Sequence, residues 1–323
     1  MNLPPDFITT ITNTFGADGE RFIADLPVLI DEASQRWGLT NVRPVANLSY
    51  NFVAFAESPS PFGRGVWGER DGNVALKIGV PNREFKSEMA ALRLFNGKGA
   101  CRLIDLDEEK YMMLLERLKP GAMLSTLKDD EEATRIAAEV MKKIWRPVEN
   151  VEAQSSPKGD IVVPLRNLIQ LPNWFKGLKR LRDMFGARTG PLNEKLVERV
   201  EASAKDFFAE NHMPVLMHGD FHHFNILSSE REWLVIDPKG VIGPAAYEVG
   251  PFMMNPWGSL TDGISRKLLE RRVDILHEEL GFERERIIEW SLAHAILSAW
   301  WGIEDKTGWE YSMQFAELIA EIK

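Results

Sequence analysis

The feature that most constrains this chain is the run Met213–Gly240, MPVLMHGDFHHFNILSSEREWLVIDPKG. An apolar run ending at Met217 meets a polar loop rich in His and Asn. Ile226 and Leu227 turn apolar again, and Leu234, Val235 and Ile236 lead into Asp237. The pattern predicts strand, loop, strand, turn and strand. Asp220 and Asn225 stand five positions apart, and Asp237 follows after twelve more. A hairpin over those twelve brings Asp237 back beside Asn225. Two oxygen ligands then face one point, with a third carboxylate close by. Magnesium takes hard oxygen ligands, often one or two from protein with phosphate and water completing the shell. Phosphoryl transfer needs one further carboxylate to orient the attacking hydroxyl.

A site of that kind also needs groups to hold phosphates, and these belong upstream. Asp18–Trp37 has helical periodicity that Pro27 should kink or divide. Strand character follows at Val42–Val45, Phe52–Ala56, Gly65–Glu69 and Asn73–Ile78, with Asp71-Gly72 as a tight hairpin turn. Lys77 sits inside the apolar strand VALKIG, where a lysine ordinarily faces solvent. The next segment, Pro81–Phe95, is a helix carrying Glu88, with Glu84 one turn earlier as the alternative. A strand lysine followed by a helix glutamate is the arrangement that holds nucleotide phosphates in kinases.

Beyond this, Ala100–Leu106 and Tyr111–Glu116 read as strands that Pro120-Gly121 should end. Helices are expected over Asp129–Trp145, Leu165–Phe185 and Leu192–Glu210. After Gly240 the expectation is helix to the end: Tyr247–Met254, Ser259–Leu280, Arg284–Glu304 and Trp309–Ile322. The expected fold class is therefore α+β. A small antiparallel-sheet lobe, residues 1–116, binds nucleotide, and a larger mainly helical lobe, residues 117–323, carries the catalytic loop and the acceptor. The boundary falls near Glu116–Gly121.

Composition removes several alternatives. At 44% hydrophobic and 27% charged, the 323 residues suit a soluble globular protein. A net charge of −9 argues against a nucleic-acid surface. One cysteine, Cys101, allows no intrachain disulfide and suits a reducing compartment. Neither a signal peptide nor an 18-residue apolar run is evident, so a cytoplasmic location without membrane attachment is expected.

HGDFHHFN matches the catalytic-loop pattern His-x-Asp-x-x-x-x-Asn, and IDP supplies the following Asp. Together with LLERLKPG, GNVALKIGVP and AALRLFNGKGACRLIDLD, these motifs resemble the aminoglycoside/hydroxyurea resistance kinases, the streptomycin 6-phosphotransferase group, from about Leu48 to beyond Trp300. The resemblance implies a bilobal protein-kinase-like fold, ATP and Mg2+ as cofactors, and a small-molecule hydroxyl acceptor such as an aminoglycoside. It makes Asp220 the catalytic carboxylate and Asn225 and Asp237 the metal ligands. Lys77 then contacts phosphate, oriented by Glu88, while Glu116 to Leu118 forms the hinge that meets adenine through its backbone. His218 is read as a structural tie of the loop, and a metal role for His222 and His223 is disfavoured.

Two departures stand out. His223-Phe224 occupies the place of a frequent Pro-Gly, where a bulky aromatic narrows the acceptor mouth. For the phosphate-covering turn, Asn47–Asn51 with Ser49 and Asn51 is preferred over Gly63, Gly65 and Gly68, which have G-x-G-x-x-G spacing. In the helical lobe Glu248, Glu304 and Asp305 are candidates for binding a cationic acceptor, the last two beside Trp300 and Trp301; core packing of the tryptophans is the rival reading. Two further functions stay open: a kinase of a sugar, amino alcohol or other metabolite, and a non-catalytic nucleotide-binding pseudokinase.

Overall fold

The structure, a computed structural model, describes residues 3–59, 73–148, 165–209, 213–256 and 266–323. The expected strand Gly65–Glu69, the Asp71-Gly72 turn and the glycines at 63, 65 and 68 lie outside them.

Five strands form an antiparallel sheet in the order Thr40–Pro44, Asn51–Glu57, Asn73–Gly79, Met112–Glu116, Leu103–Asp107. The period of two along a strand sorts its side chains onto two faces. Leu76, Ile78, Met112 and Leu114 pack on one face against Phe7, Ile11, Phe22, Leu26 and Ile30. Those residues come from the helices Pro5–Phe15 and Ala17–Trp37. Ala75, Met113 and Leu115 join the other core, with Met89, Leu92 and Phe95 of the helix Arg83–Phe95. Lys77 shares the strand face of Ala75 and therefore meets that helix rather than solvent. This second core continues without a break into the helical lobe.

Ala17–Trp37 is the expected helix, undivided at Pro27 in its interior. Its buried face (Phe22, Leu26, Ile30, Ala33, Trp37) runs through the proline, so packing on both sides outweighs one lost hydrogen bond. Pro5–Phe15 was not anticipated; only Phe7 and Ile11 are buried in it, too few for a clear periodicity. Pro120-Gly121 does not stop the chain but opens a strand, Pro120–Met123, which pairs with Ile226–Ser229. Proline is tolerated there because it is the first residue of an edge strand. Leu165–Phe185 divides into a short strand, Ile169–Gln170, and a helix, Leu171–Met184, whose start suits Pro172. That strand runs parallel to Val241–Gly243, so helix does not follow Gly240 directly.

The larger lobe is mainly helical: Asp130–Ile144, Leu171–Met184, Glu194–Ala209, Arg266–Leu280, Arg284–Glu304 and Glu310–Ala320. Arg284–Glu304 is buried around most of its circumference, from Ile287 to Gly302, and Leu171–Met184, Glu194–Ala209, Arg266–Leu280 and Glu310–Ala320 pack on it, while Asp130–Ile144 packs on Arg266–Leu280. Among the described residues, no helix is long and apolar enough to cross a membrane.

Candidate active site

The loop from His218 to Asn225 joins the strand Val215–Met217 to the strand Ile226–Ser229. Ile226 pairs with Val235 in the returning strand, and the Ile236 N–H donates to the Asn225 carbonyl at 2.9 Å. The hairpin thus sets Asp237 beside Asn225.

Three ties fix the loop. His218 Nε2 lies 2.8 Å from the Ile236 carbonyl, to which it donates, so Nδ1 is free to accept the Asp220 N–H at 3.1 Å. Burial holds this imidazole neutral, with its pKa depressed to about 4. The His218 carbonyl accepts from the Lys239 and Gly240 N–H groups at 2.8 and 3.2 Å. Finally, Glu248 Oε2 and Oε1 accept the His218 and Gly219 N–H groups, each at 2.8 Å. Glu248 is fully buried. The expectation that it binds an acceptor cation is corrected: both oxygens are spent on the loop's backbone. Gly219 has φ +85°, and a Cβ there would stand 2.2 Å from Val241 Cγ2. Glycine is required on both counts.

The loop presents Asp220 with its side chain 40% exposed. Burial works to raise its carboxyl, and His222, Lys239, His218 and His294 outweigh that, so it is held below the usual range as a carboxylate. His222 Nε2 is 3.7 Å from Asp220 Oδ1. Asn225 Nδ2 donates to the Asp220 carbonyl at 3.0 Å, which leaves Oδ1 as the atom of that amide available to a ligand.

Lys77 brings the lobes together. Its side chain is 2% exposed, with Nζ 2.6 Å from Glu88 Oε1 and 3.1 Å from Asp237 Oδ1. Burial alone works against the ammonium, but Asp237 and Glu88 hold it protonated. Burial pushes the Glu88 carboxyl up to about 7 against the pull of Lys77. Asp237 moves down, because Lys77 outweighs its own desolvation. Asp237 adopts φ +56°, a left-handed conformation that Asp tolerates better than most residues. Glu84 turns away from Lys77 to Lys239, Oε2 to Nζ 2.7 Å.

The remaining expected positions are spread over both lobes. Ser49 is exposed in the connection between the first two strands, and Asn51 pairs with Gly79, two positions along from Lys77. Glu116 ends its strand with its N–H on the Arg102 carbonyl, and its Oε2 accepts from the Arg102 N–H and from Arg231 Nη2. Leu118 is buried. Glu304 does not present a free charge: it forms a bidentate pair with Arg180 at 2.8 and 2.9 Å. Asp305 caps the same helix; partial burial raises its carboxyl, and Glu304 and Glu84 add to this. Trp300 is core, whereas Trp301 is half-buried with its ring edge-on to Trp174 at 5.3 Å. His223 turns inward and stacks on Phe252, ring centroids 4.3 Å apart, while Phe224 is 38% exposed.

Sequence reasoning missed Trp174, Tyr247 and His294. Trp174 lies 5.8 Å from Tyr247, and its ring edge is 3.3 Å from the Cβ position of Gly219. The Tyr247 hydroxyl is 2.9 Å from His294 Nδ1. No local signal marks them, since they meet only through the packing of helices distant in sequence.

A lysine held by a helix glutamate, two acids and an amide around one loop, and a sheet stacked on a helical lobe define a phosphotransferase of kinase-like fold. Solved structures share that fold. A ternary complex of a thermostable mutant of aminoglycoside phosphotransferase APH(4)-Ia with AMP-PNP and hygromycin B superposes with a TM-score of 0.60 at 14% identity, covering 91% of this chain and 97% of that one. A choline/ethanolamine kinase family protein from Mesorhizobium loti gives 0.60 at 13%, covering 91% and 95%.

The chain belongs to the aminoglycoside/hydroxyurea antibiotic resistance kinase family, whose model matches residues 64–306. It is 28% identical to streptomycin 6-kinase of Streptomyces glaucescens over 94% of this chain and 92% of that protein. It is 30% identical to hydroxyurea phosphotransferase of Kitasatospora aureofaciens over 94% and 81%.

Proposed function

We propose that the protein transfers the terminal phosphoryl group of ATP to a hydroxyl of a small molecule, with an aminoglycoside such as streptomycin as the leading acceptor. The observation that carries the reading is the meeting of Lys77, Glu88 and Asp237 within 3.1 Å beside the loop that presents Asp220. The acceptor class comes from the relatives' activities. Residues 1–116 form the nucleotide lobe in this reading and residues 117–323 the catalytic and acceptor lobe. The Glu116 carbonyl and the Leu118 N–H meet the adenine edge, Asn47–Asn51 covers the phosphates, and Lys77 contacts them. A cytoplasmic location fits the single buried cysteine.

Asn225 and Asp237 suit Mg2+. Asn225 Oδ1 and the Asp237 carboxylate supply two hard oxygens, and no group of three His, Cys, Asp or Glu able to cage a metal occurs among the described residues. Such a two-ligand site relies on phosphate and water for the rest. Bound there, the ion would neutralise phosphate charge. Asp220 accepts the hydrogen bond of the acceptor hydroxyl and aims its oxygen at the γ-phosphorus. That oxygen–phosphorus bond forms as the bond to the β,γ-bridging oxygen breaks. ADP leaves with the electron pair, and the hydroxyl proton passes to Asp220. A carboxylate held below its usual pKa is a weak base, so positioning is the larger part of its task.

The alternative acceptor is a smaller hydroxylated metabolite, in keeping with the hydroxyurea-phosphorylating relative. The test is transfer of labelled γ-phosphate to streptomycin, hydroxyurea and choline, each with ATP and Mg2+. Acceptor-dependent labelling of streptomycin is expected; labelling of hydroxyurea or choline alone moves the assignment to the smaller acceptors. Nucleotide binding without labelling of any acceptor favours a non-catalytic binder.

A further inference from the structure

Lys239 lies between the loop that presents Asp220 and the helix Arg83–Phe95. Its backbone N–H is tied to the His218 carbonyl at 2.8 Å, which fixes it beside the loop that presents Asp220. The next residue is clamped as well: the Gly240 carbonyl accepts Ser87 Oγ at 2.8 Å, and a Cβ on Gly240 would stand 2.6 Å from the Ser87 carbonyl. From this fixed base the side chain crosses to Glu84 on the helix Arg83–Phe95, one turn before Glu88. Its ammonium therefore spans the space between the catalytic loop and the helix that holds Lys77.

The two cleft lysines differ in their commitments. Lys77 is buried and engaged by two carboxylates. Lys239 is 37% exposed, and Glu84, its ion-pair partner among the described residues, is 57% exposed. An ion pair this open to solvent is held weakly and yields readily to a stronger anion. A transferring phosphoryl group is such an anion, with charge spread over three equatorial oxygens.

Given the phosphotransfer reading, on which this inference rests, we propose that Lys239 is a further catalytic residue: its ammonium leaves Glu84 and donates a hydrogen bond to a non-bridging oxygen of the phosphoryl group in flight. The bonds made and broken are those already described. Lys239 transfers no proton; it neutralises charge, much as an arginine finger does from a different position. Glu84 is its resting partner and takes no part in the reaction.

The rival explanation is that Lys239 only tethers the helix through Glu84. Lys239→Met, Lys239→Arg and Glu84→Gln separate the two, with turnover, acceptor KM, affinity for ADP and melting temperature measured for each. By comparison with arginine fingers, Lys239→Met should lower kcat on the order of 1,000-fold, with ADP affinity and acceptor KM changed by less than about threefold. Lys239→Arg should recover at least about tenfold of the loss, because it restores the charge with altered reach. Glu84→Gln, which cuts the tether and leaves the ammonium, should keep kcat within about threefold. A loss in Glu84→Gln as large as in Lys239→Met overturns the proposal in favour of a tether. Undiminished kcat in Lys239→Met, or a loss confined to ADP affinity, overturns it too, while leaving the phosphotransfer reading intact. Binding of ADP by the wild type with no transfer to any acceptor removes that reading, and the proposal with it.

Discussion

Lys77 Nζ lies 3.1 Å from Asp237 Oδ1, across 160 positions of sequence and from one lobe to the other. With Glu88 at 2.6 Å on its other side, the ammonium is the point at which the sheet, the helix and the hairpin that carries Asp237 are held in register. Lys77→Met leaves Glu88 in a buried site without its counter-charge, at a cost of about 3 kcal/mol. Adding Glu88→Leu should restore most of the melting temperature but not the affinity for ATP. Calorimetric melting and nucleotide titration of the single and double variants check this; recovery of both together would contradict a role for Lys77 at the phosphates.

Glu248 holds the loop from behind through two backbone amides. Glu248→Ala removes both accepting oxygens. The His218 and Gly219 N–H groups are left buried and unmet, at a cost of about 1–3 kcal/mol each. Turnover should fall by about 10- to 100-fold through misplacement of Asp220, with ATP affinity nearly unchanged. Steady-state kinetics beside nucleotide titration reads the difference.

Gly219→Ala meets both a left-handed backbone and the Val241 side chain. A loss of about 3 kcal/mol is expected, together with loss of transfer. Urea denaturation and the transfer assay report the two effects.

His294 gives a pH signature. Burial, opposed by Asp220 and aided by His222, depresses its pKa to about 4, and Tyr247 fixes its Nδ1. An unfolded histidine titrates near 6.5. The unfolded state therefore binds more protons between these values, and the stability due to a neutral buried imidazole is full above about 6.5 and lost as pH falls toward 4. Glu88 and Glu248, raised to about 7 and about 8, act in the opposite direction, so the whole-protein curve mixes the two. The difference between wild type and His294→Asn isolates the histidine. That difference should shrink by about 3 kcal/mol from pH 7 to pH 4, as urea midpoints at each pH will show.

How legible the site is from sequence depends on how far apart its members lie. Asp220 and Asn225 share one loop, and a strand hairpin returns Asp237, so residue types and spacing suffice to bring them together. Lys77 and Glu88 lie 11 positions apart on consecutive elements, and the sheet's two-residue period turns the lysine inward. Glu248 looks like a binding-site acid because the short turn that carries it, Ala245–Glu248, has no periodicity to say which way it faces. Glu304 looks free because Arg180, its partner, is 124 positions away. Lys239 looks like an ordinary turn residue until the helix bearing Glu84 is laid across it. The strands of the sheet among the described residues follow from their alternation, the expected strand Gly65–Glu69 lying outside them, whereas Pro120 opens a strand because tertiary pairing outweighs its local preference for a stop.

In the proposed reaction Asp220 directs phosphoryl transfer onto an acceptor hydroxyl. The most direct measurement is transfer of labelled γ-phosphate from ATP to streptomycin, with Mg2+, by wild type and by Asp220→Asn, alongside the ADP affinity of each. Acceptor-dependent labelling by wild type is predicted, with a loss on the order of 1,000-fold or more in the variant at unchanged ADP affinity. Transfer by Asp220→Asn within about tenfold of wild type would contradict the account.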